Sequence, residues 1–186
     1  MPPSLSPYFL LFVLLIAPAM ATEQAFPPSP VGAAELKTLP AGVLLKASAS
    51  GNYFDQSNRL FGPLFSYISS HDIAMTTPVE AKIEGAAMFF WVANSQRAKV
   101  AGSTGTVEVV EIPERWVASL GARGSYSAQN FAKTRDQLLV WLGQRKDVEP
   151  AGSAYAVYWD GPFKPGFLKR FEVHVPVRSV GPTRTQ

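Results

Sequence analysis

His71 and His174 are the only histidines in the 186-residue chain, and cysteine is absent. Thiol catalysis, disulfide bridges and Cys-ligated zinc are therefore excluded, and any metal ligation rests on lone imidazoles. His71 sits in a polar loop after a predicted helix, where a neutral imidazole can ligate iron. The alternative is a solvated loop side chain. His174 alternates with Val173 and Val175 in a strand pattern, so it faces opposite to them, toward solvent or a side-chain hydrogen bond. Arg135 falls within an apolar helical stripe, and such a charge must pair, snorkel at the stripe's edge or meet an anion. Its functional form is contact with a carboxylate-bearing ligand between that helix and the sheet. No Gly-x-Ser-x-Gly elbow and no local His–carboxylate arrangement marks a nucleophile, although residues distant in sequence can still assemble one. What remains is apolar: Phe61 and Phe65, one helical turn apart, followed by Ile73-Ala74-Met75-Thr76-Thr77-Pro78-Val79. These residue types suit packing or apolar binding rather than catalysis.

The element presenting the two phenylalanines is a helix with Asp55 as its expected N-cap and apolar residues at Leu60, Phe61, Leu64, Phe65, Tyr67 and Ile68. These cover an arc of roughly 160°, wider than the stripe of about 100° that suffices to face one core. Pro63 predicts either a late start near Leu60 or a kink. A strand precedes this helix over residues 38–48, and two follow it over 79–83 and 87–93. A polar, Gly-rich loop spans 94–106. Strands are expected at 107–112 and 115–121, with Pro113-Glu114 as a tight turn between them. Ser125 or Ser127 caps a second helix to about Gly143, with Ala128, Phe131, Leu138, Leu139 and Leu142 on one face. Strands at 154–159 and 171–177 complete the set. With the 107–112 strand set aside, the order reads as two βαββ units, a duplicated topology that closes its sheets around a shared core with both helices outside.

Composition agrees with one soluble globular domain, at 47% hydrophobic and 17% charged residues. The formal charge of +3 is mild and scattered, which argues against nucleic acid as a partner. Residues 8–16 form an apolar run too short to cross a bilayer, and Ala19-Met20-Ala21 matches a small-x-small cleavage site. A leader over 1–21 is expected, giving a secreted or periplasmic protein without a stable membrane anchor after cleavage; a short uncleaved anchor is the alternative. Pro27, Pro28, Pro30 and Gly32 mark residues 22–34 as an extended, mobile linker. The domain proper spans 35–178, and 179–186 is a flexible tail.

Several of these residues recur as a pattern. Phe65-x-Tyr67-Ile68, the Met75-Thr76-Thr77-Pro78-Val79 element, the distal Tyr158-x-Asp160-x-Pro162-Phe163-Lys164-Pro165 and Arg170-x-Glu172-Val173 together resemble the SOUL haem-binding protein family. The resemblance implies an α+β fold, a distorted β-barrel of two βαββ halves with two flanking helices. It also implies non-covalent binding of haem or another tetrapyrrole as cofactor and partner. The implied binding surface is the outer edge of the first helix, Phe61 and Phe65 with Asn58 and Ser66 nearby, where relatives carry basic residues that can pair with propionates. The competing readings are a module for another apolar small molecule, as in the effector-binding domains this topology also resembles, and a hydrolase built on a cryptic His or Glu.

Overall fold

The computed structural model describes residues 23–181. The expected leader over 1–21 and residues 182–186 of the expected tail lie outside that range.

Nine strands and two long helices follow in the order β1 (Ala34–Leu39), β2 (Gly42–Ser48), α1 (Tyr53–Ser70), β3 (Val79–Lys82), β4 (Ala87–Val92), β5 (Glu108–Ile112), β6 (Arg115–Arg123), α2 (Ala128–Gly143), β7 (Val148–Pro150), β8 (Tyr155–Tyr158) and β9 (Arg170–Ser179). The sheet order is β1-β6-β9-β8-β3-β4-β2-β5, with β7 added on β9, and every pairing between named strands is antiparallel. Read outward from the β3–β8 seam, this order is a palindrome: β3-β4-β2-β5 on one side and β8-β9-β6-β1 on the other. The two βαββ units are therefore β2-α1-β3-β4 and β6-α2-β8-β9, and β1 and β5 are exchanged edge strands, each lying in the other unit's half. The sheet is an open, curled half-barrel, and the fold is the α+β distorted barrel expected. Two short connections, Pro40-Ala41 and Pro113-Glu114, each join an edge strand to the strand next to the opposite edge, which requires the curl.

Several boundaries differ from expectation. The strand anticipated over 38–48 is two strands split at Pro40, and β1 pairs with β6 rather than β2. The Pro113-Glu114 turn joins β5 and β6 without pairing them, because β5 is taken up by β2. Helix α1 begins at Tyr53 with Asn52, not Asp55, as its cap: the Asn52 side chain accepts from the Phe54 amide at 3.0 Å. Pro63 lies inside the helix, where it removes one donor. Buried Leu60, Leu64, Tyr67 and Ile68 hold the turns on either side. Ser127 caps α2 by accepting from Asn130 N–H at 3.2 Å. The segment taken as a mobile linker is extended but bound. Phe26 is buried, the Ala25 amide donates to the Thr77 carbonyl at 2.8 Å, the Thr77 amide donates to the Glu23 carbonyl at 2.9 Å, and Gly32 donates to the Gly121 carbonyl at 2.8 Å. It is a strap laid across the sheet.

Strand periodicity of two divides the interior into two layers. Val43, Leu45, Phe90, Ala118, Val173 and Val175 face the helices. Leu44, Trp91, Val117, Tyr155 and Val157, one residue out of phase, face inward with Phe26 and Trp159. Strands far apart in the sheet order meet in that second cluster, so it fills the concave side.

Candidate functional site

Phe61 and Phe65 stack with ring centroids 5.6 Å apart and planes 15° apart. They remain 40% and 51% exposed, while Leu60 and Leu64 beside them are buried. Phe61 meets the buried Phe90 of β4 edge-on at 5.5 Å, which fixes one end of the pair in the core. The result is an anchored aromatic shelf open to solvent. By helical spacing Asn58 shares its flank, but Ser66 lies about 100° round from Phe65 and Arg59 about 120°. Arg59 instead lines a cleft of about 480 Å³ on the opposite flank, with Gln56, Pro63 and residues 104–108.

The remaining sequence candidates are not gathered at the shelf. His71 caps the C-terminus of α1: its ring stacks on Tyr67 at 4.3 Å, and Nδ1 lies 2.8 Å from the Tyr67 carbonyl. At helical spacing it points about 120° away from Phe65. Arg135 lines a different cleft of about 540 Å³ between α2, the start of α1 and residues 150–154, together with Phe54 and Phe131. Its guanidinium is held by the Asp136 carboxylate at 2.8 and 2.9 Å and lies over the Phe131 ring, which is the snorkelling arrangement.

A tetrapyrrole fits this shelf in one respect and not in others. Two stacked, half-exposed rings suit the flat face of a macrocycle. The shelf supplies no imidazole, and its polar neighbour Asn58 is neutral. Among the described residues no group of three or more metal-ligating side chains occurs.

The concave side holds a polar network that lay unread in the sequence. Glu172 accepts from the Ser29 amide at 2.7 Å, Trp159 Nε1 at 2.7 Å, Ser119 Oγ at 2.9 Å and His174 Nε2 at 2.7 Å, with Lys37 Nζ at 3.4 Å. Burial works to raise the Glu172 pKa, but these donors outweigh it and hold the carboxyl at about 2. Burial pushes His174 below its ordinary value, so it is a neutral ring donating through Nε2, with Nδ1 3.2 Å from the Tyr155 hydroxyl. Across the same interior Glu80 takes both terminal nitrogens of Arg115, at 2.7 and 3.1 Å, and Trp91 Nε1 at 3.0 Å. Ser119 and His174 both bond to Glu172, not to each other, and both are fully buried. A nucleophile needs its base within hydrogen-bond reach, so this Ser–His–Glu set lacks the order of a catalytic triad. Glu172 and His174, two apart in a strand, were a readable one-face pair; their partners carry no local signal.

No curated protein sequence matches the chain. Solved structures share its fold at low identity. EcmrR in a DNA complex superposes with a TM-score of 0.64 at 16% identity, over 80% of this chain and 58% of that one. The EcmrR C-terminal domain alone gives 0.63 at 16% identity, over 80% and 98%. A hydrolase from Listeria innocua gives 0.54 at 12%, over 81% and 94%. SAV2435 bound to tetraphenylphosphonium gives 0.52 at 12%, over 78% and 94%. The match that reaches sequence is a family model, SOUL heme-binding protein, over residues 28–176. That span runs from within the strap into β9 and includes the aromatic shelf, the Met-Thr-Thr-Pro-Val element and the Glu172 network, and the chain belongs to the SOUL heme-binding protein family.

Proposed function

We propose that the protein binds haem or a related tetrapyrrole without covalent attachment, on the shelf formed by Phe61 and Phe65. The observation that carries this reading is the stacked pair itself, left half-exposed while the rest of the helix's apolar face is buried. The rings would cover one face of the macrocycle, and the hydrophobic contribution is about 25 cal/mol per Å² of apolar surface covered, before ordering costs. Iron ligation is not required for this mode, and His71 caps α1 on another face. Family membership supports the tetrapyrrole class. Export rests on the apolar run at 8–16 and the small-x-small site at 19–21, and the protein acts by capture, not by chemistry.

Titration with haemin and with iron-free protoporphyrin tests this. Saturable Soret changes are expected with both, at affinities within about threefold because ring burial is common to them. Truncating Phe61 and Phe65 together to Ala should weaken both by tenfold or more, roughly the contribution of one large aromatic contact. Saturable binding unchanged in that double variant would move the site elsewhere. A second reading, capture of another apolar small molecule, draws on the cleft of about 540 Å³ lined by Phe54, Phe131 and Arg135. An affinity that responds to Phe131→Ala but not to Phe61→Ala would favour it.

A further inference from the structure

Beyond the buried Trp159, the β8–β9 connection presents its large apolar side chains outward. Phe163 is 100% exposed, Phe167 75% and Leu168 41%. The loop is held in that state rather than left slack. The Asp160 carboxylate receives the Arg170 amide at 2.6 Å, the Arg170 guanidinium at 3.2 and 3.3 Å and Lys164 Nζ at 2.8 Å. The Asp160 amide donates to the Tyr126 hydroxyl at 2.8 Å. A 3₁₀ turn over Gly166–Leu168 is closed by the Lys169 amide donating to the Gly166 carbonyl at 3.1 Å. A pinned base thus carries two phenyl rings into water, where an unconstrained loop would fold them against its own surface.

The charge around this tip is net positive. Within residues 159–171 the cations are Lys164, Lys169 and Arg170, and the one carboxylate, Asp160, is nearly buried and already paired, leaving a segment charge of +2 (three minus one). Arg123 of β6 sits opposite Arg170 in register and its guanidinium lies 3.5 Å from the Leu168 carbonyl, adding a fourth cation. Projecting apolar rings inside a basic collar match the layering of an anionic bilayer surface, with apolar groups at the acyl boundary and Lys or Arg at the lipid phosphates. We propose that this loop is a reversible docking site for anionic membrane surfaces. A lipid surface is favoured over a protein groove because Phe163 is fully exposed at the tip and the charge around it stays net positive with Asp160 already paired. The site is distinct from the Phe61–Phe65 shelf and does not depend on which ligand that shelf takes.

The absence of cysteine allows one reporter at a time. An environment-sensitive fluorophore on Phe163→Cys or Phe167→Cys of the full chain is mixed with vesicles of phosphatidylcholine, with and without phosphatidylglycerol; Val140→Cys on α2, also exposed, is the control. Emission at both loop positions should shift to the blue and brighten on phosphatidylglycerol vesicles, reverse with added salt, and stay unchanged at position 140. Any contact made by the apolar run at 8–16 is common to all three and does not move a loop reporter by itself. Replacing Lys169 and Arg123, which lie outside the Asp160 pairs, by Gln should weaken the response about tenfold or more, as expected for two cations lost near anionic lipid. No shift at either loop position with the fold intact by circular dichroism would overturn the proposal. So would an equal shift at position 140, or a shift that follows protein concentration without lipid, which would assign the loop to self-association.

Discussion

Glu172 is joined to residues that are 143, 135 and 53 positions away, Ser29, Lys37 and Ser119, as well as to its strand neighbour His174. A charge removed from water in this way is tolerated only because each lone pair meets a donor, and removing the charge leaves Lys37 and several donors unmatched. Glu172→Gln should therefore cost about 3 kcal/mol of unfolding free energy in urea titrations. Arg178→Gln, which breaks the exposed pair with Glu149, should change it by no more than about 0.5 kcal/mol. Equal effects of the two would show that the interior network contributes no more than a surface pair. The contrast also explains what was legible. Phe61 and Phe65 stood out because helical periodicity is local and their neighbours Leu60 and Leu64 share it. Ser29 and Ser119 gave no signal, since a serine in a Pro-rich run and a serine in a strand look alike whether or not a carboxylate lies between them.

At the scale of elements, the strap is where reading and structure diverge most. Three prolines and a glycine suit an extended chain, but composition cannot reveal that Phe26 enters the concave core between Trp91 and Trp159, with edge contacts at 5.6 and 5.5 Å. Gly121 of β6 makes that approach possible: a Cβ there would come within 2.6 Å of the Pro30 carbonyl oxygen and 2.8 Å of that of Ser29. Because the obstacle is backbone, it cannot rotate away, and Gly121→Ala must push the strap off the sheet. The expected loss is about 1–3 kcal/mol, typical of overpacking. Iodide quenching of tryptophan fluorescence should increase at the same time, as Trp91 and Trp159 are now 4% exposed. Destabilisation without added quenching would mean that the strand distorts and the strap stays. Helix α1 illustrates a smaller divergence. Asp55 was an acceptable cap, but Asn52 wins because the Tyr53 amide is already taken by the Ile83 carbonyl at 3.0 Å, fixing the helix start on the β3–β4 turn.

Over the whole molecule, the two βαββ units were legible because each has its own run of periodic segments, whereas the order of their strands in the sheet was not. Nor was the exchange of β1 and β5, since pairing partners distant in sequence are set by the curl rather than by local pattern. That curl creates an interior closed to water, and the interior sets the response of stability to pH. His174 has its pKa lowered by burial, so the unfolded chain takes up that proton first: its contribution is complete above about pH 6.5 and declines below it. Glu172 and Asp160, both held at about 2 by their donors, contribute fully above the ordinary carboxylate range and lose that contribution as pH falls toward 2. On the alkaline side Tyr53, Tyr155 and Tyr158 are raised by burial, and Tyr126 is pushed up to about 12. Their contributions are present below about pH 10 and lost above it. Urea unfolding followed by tryptophan fluorescence should therefore show a plateau from about pH 7 to 10. Below it the decline should begin at the imidazole, with a slope of up to about 1.4 kcal/mol per pH unit, and then steepen at the carboxylates. In His174→Gln the first part of that decline should vanish while the carboxylate part remains. A wild-type profile flat from pH 7 down to 5 would mean that His174 takes up its proton as readily in the folded interior as in water, and the sealed concave core would have to be open.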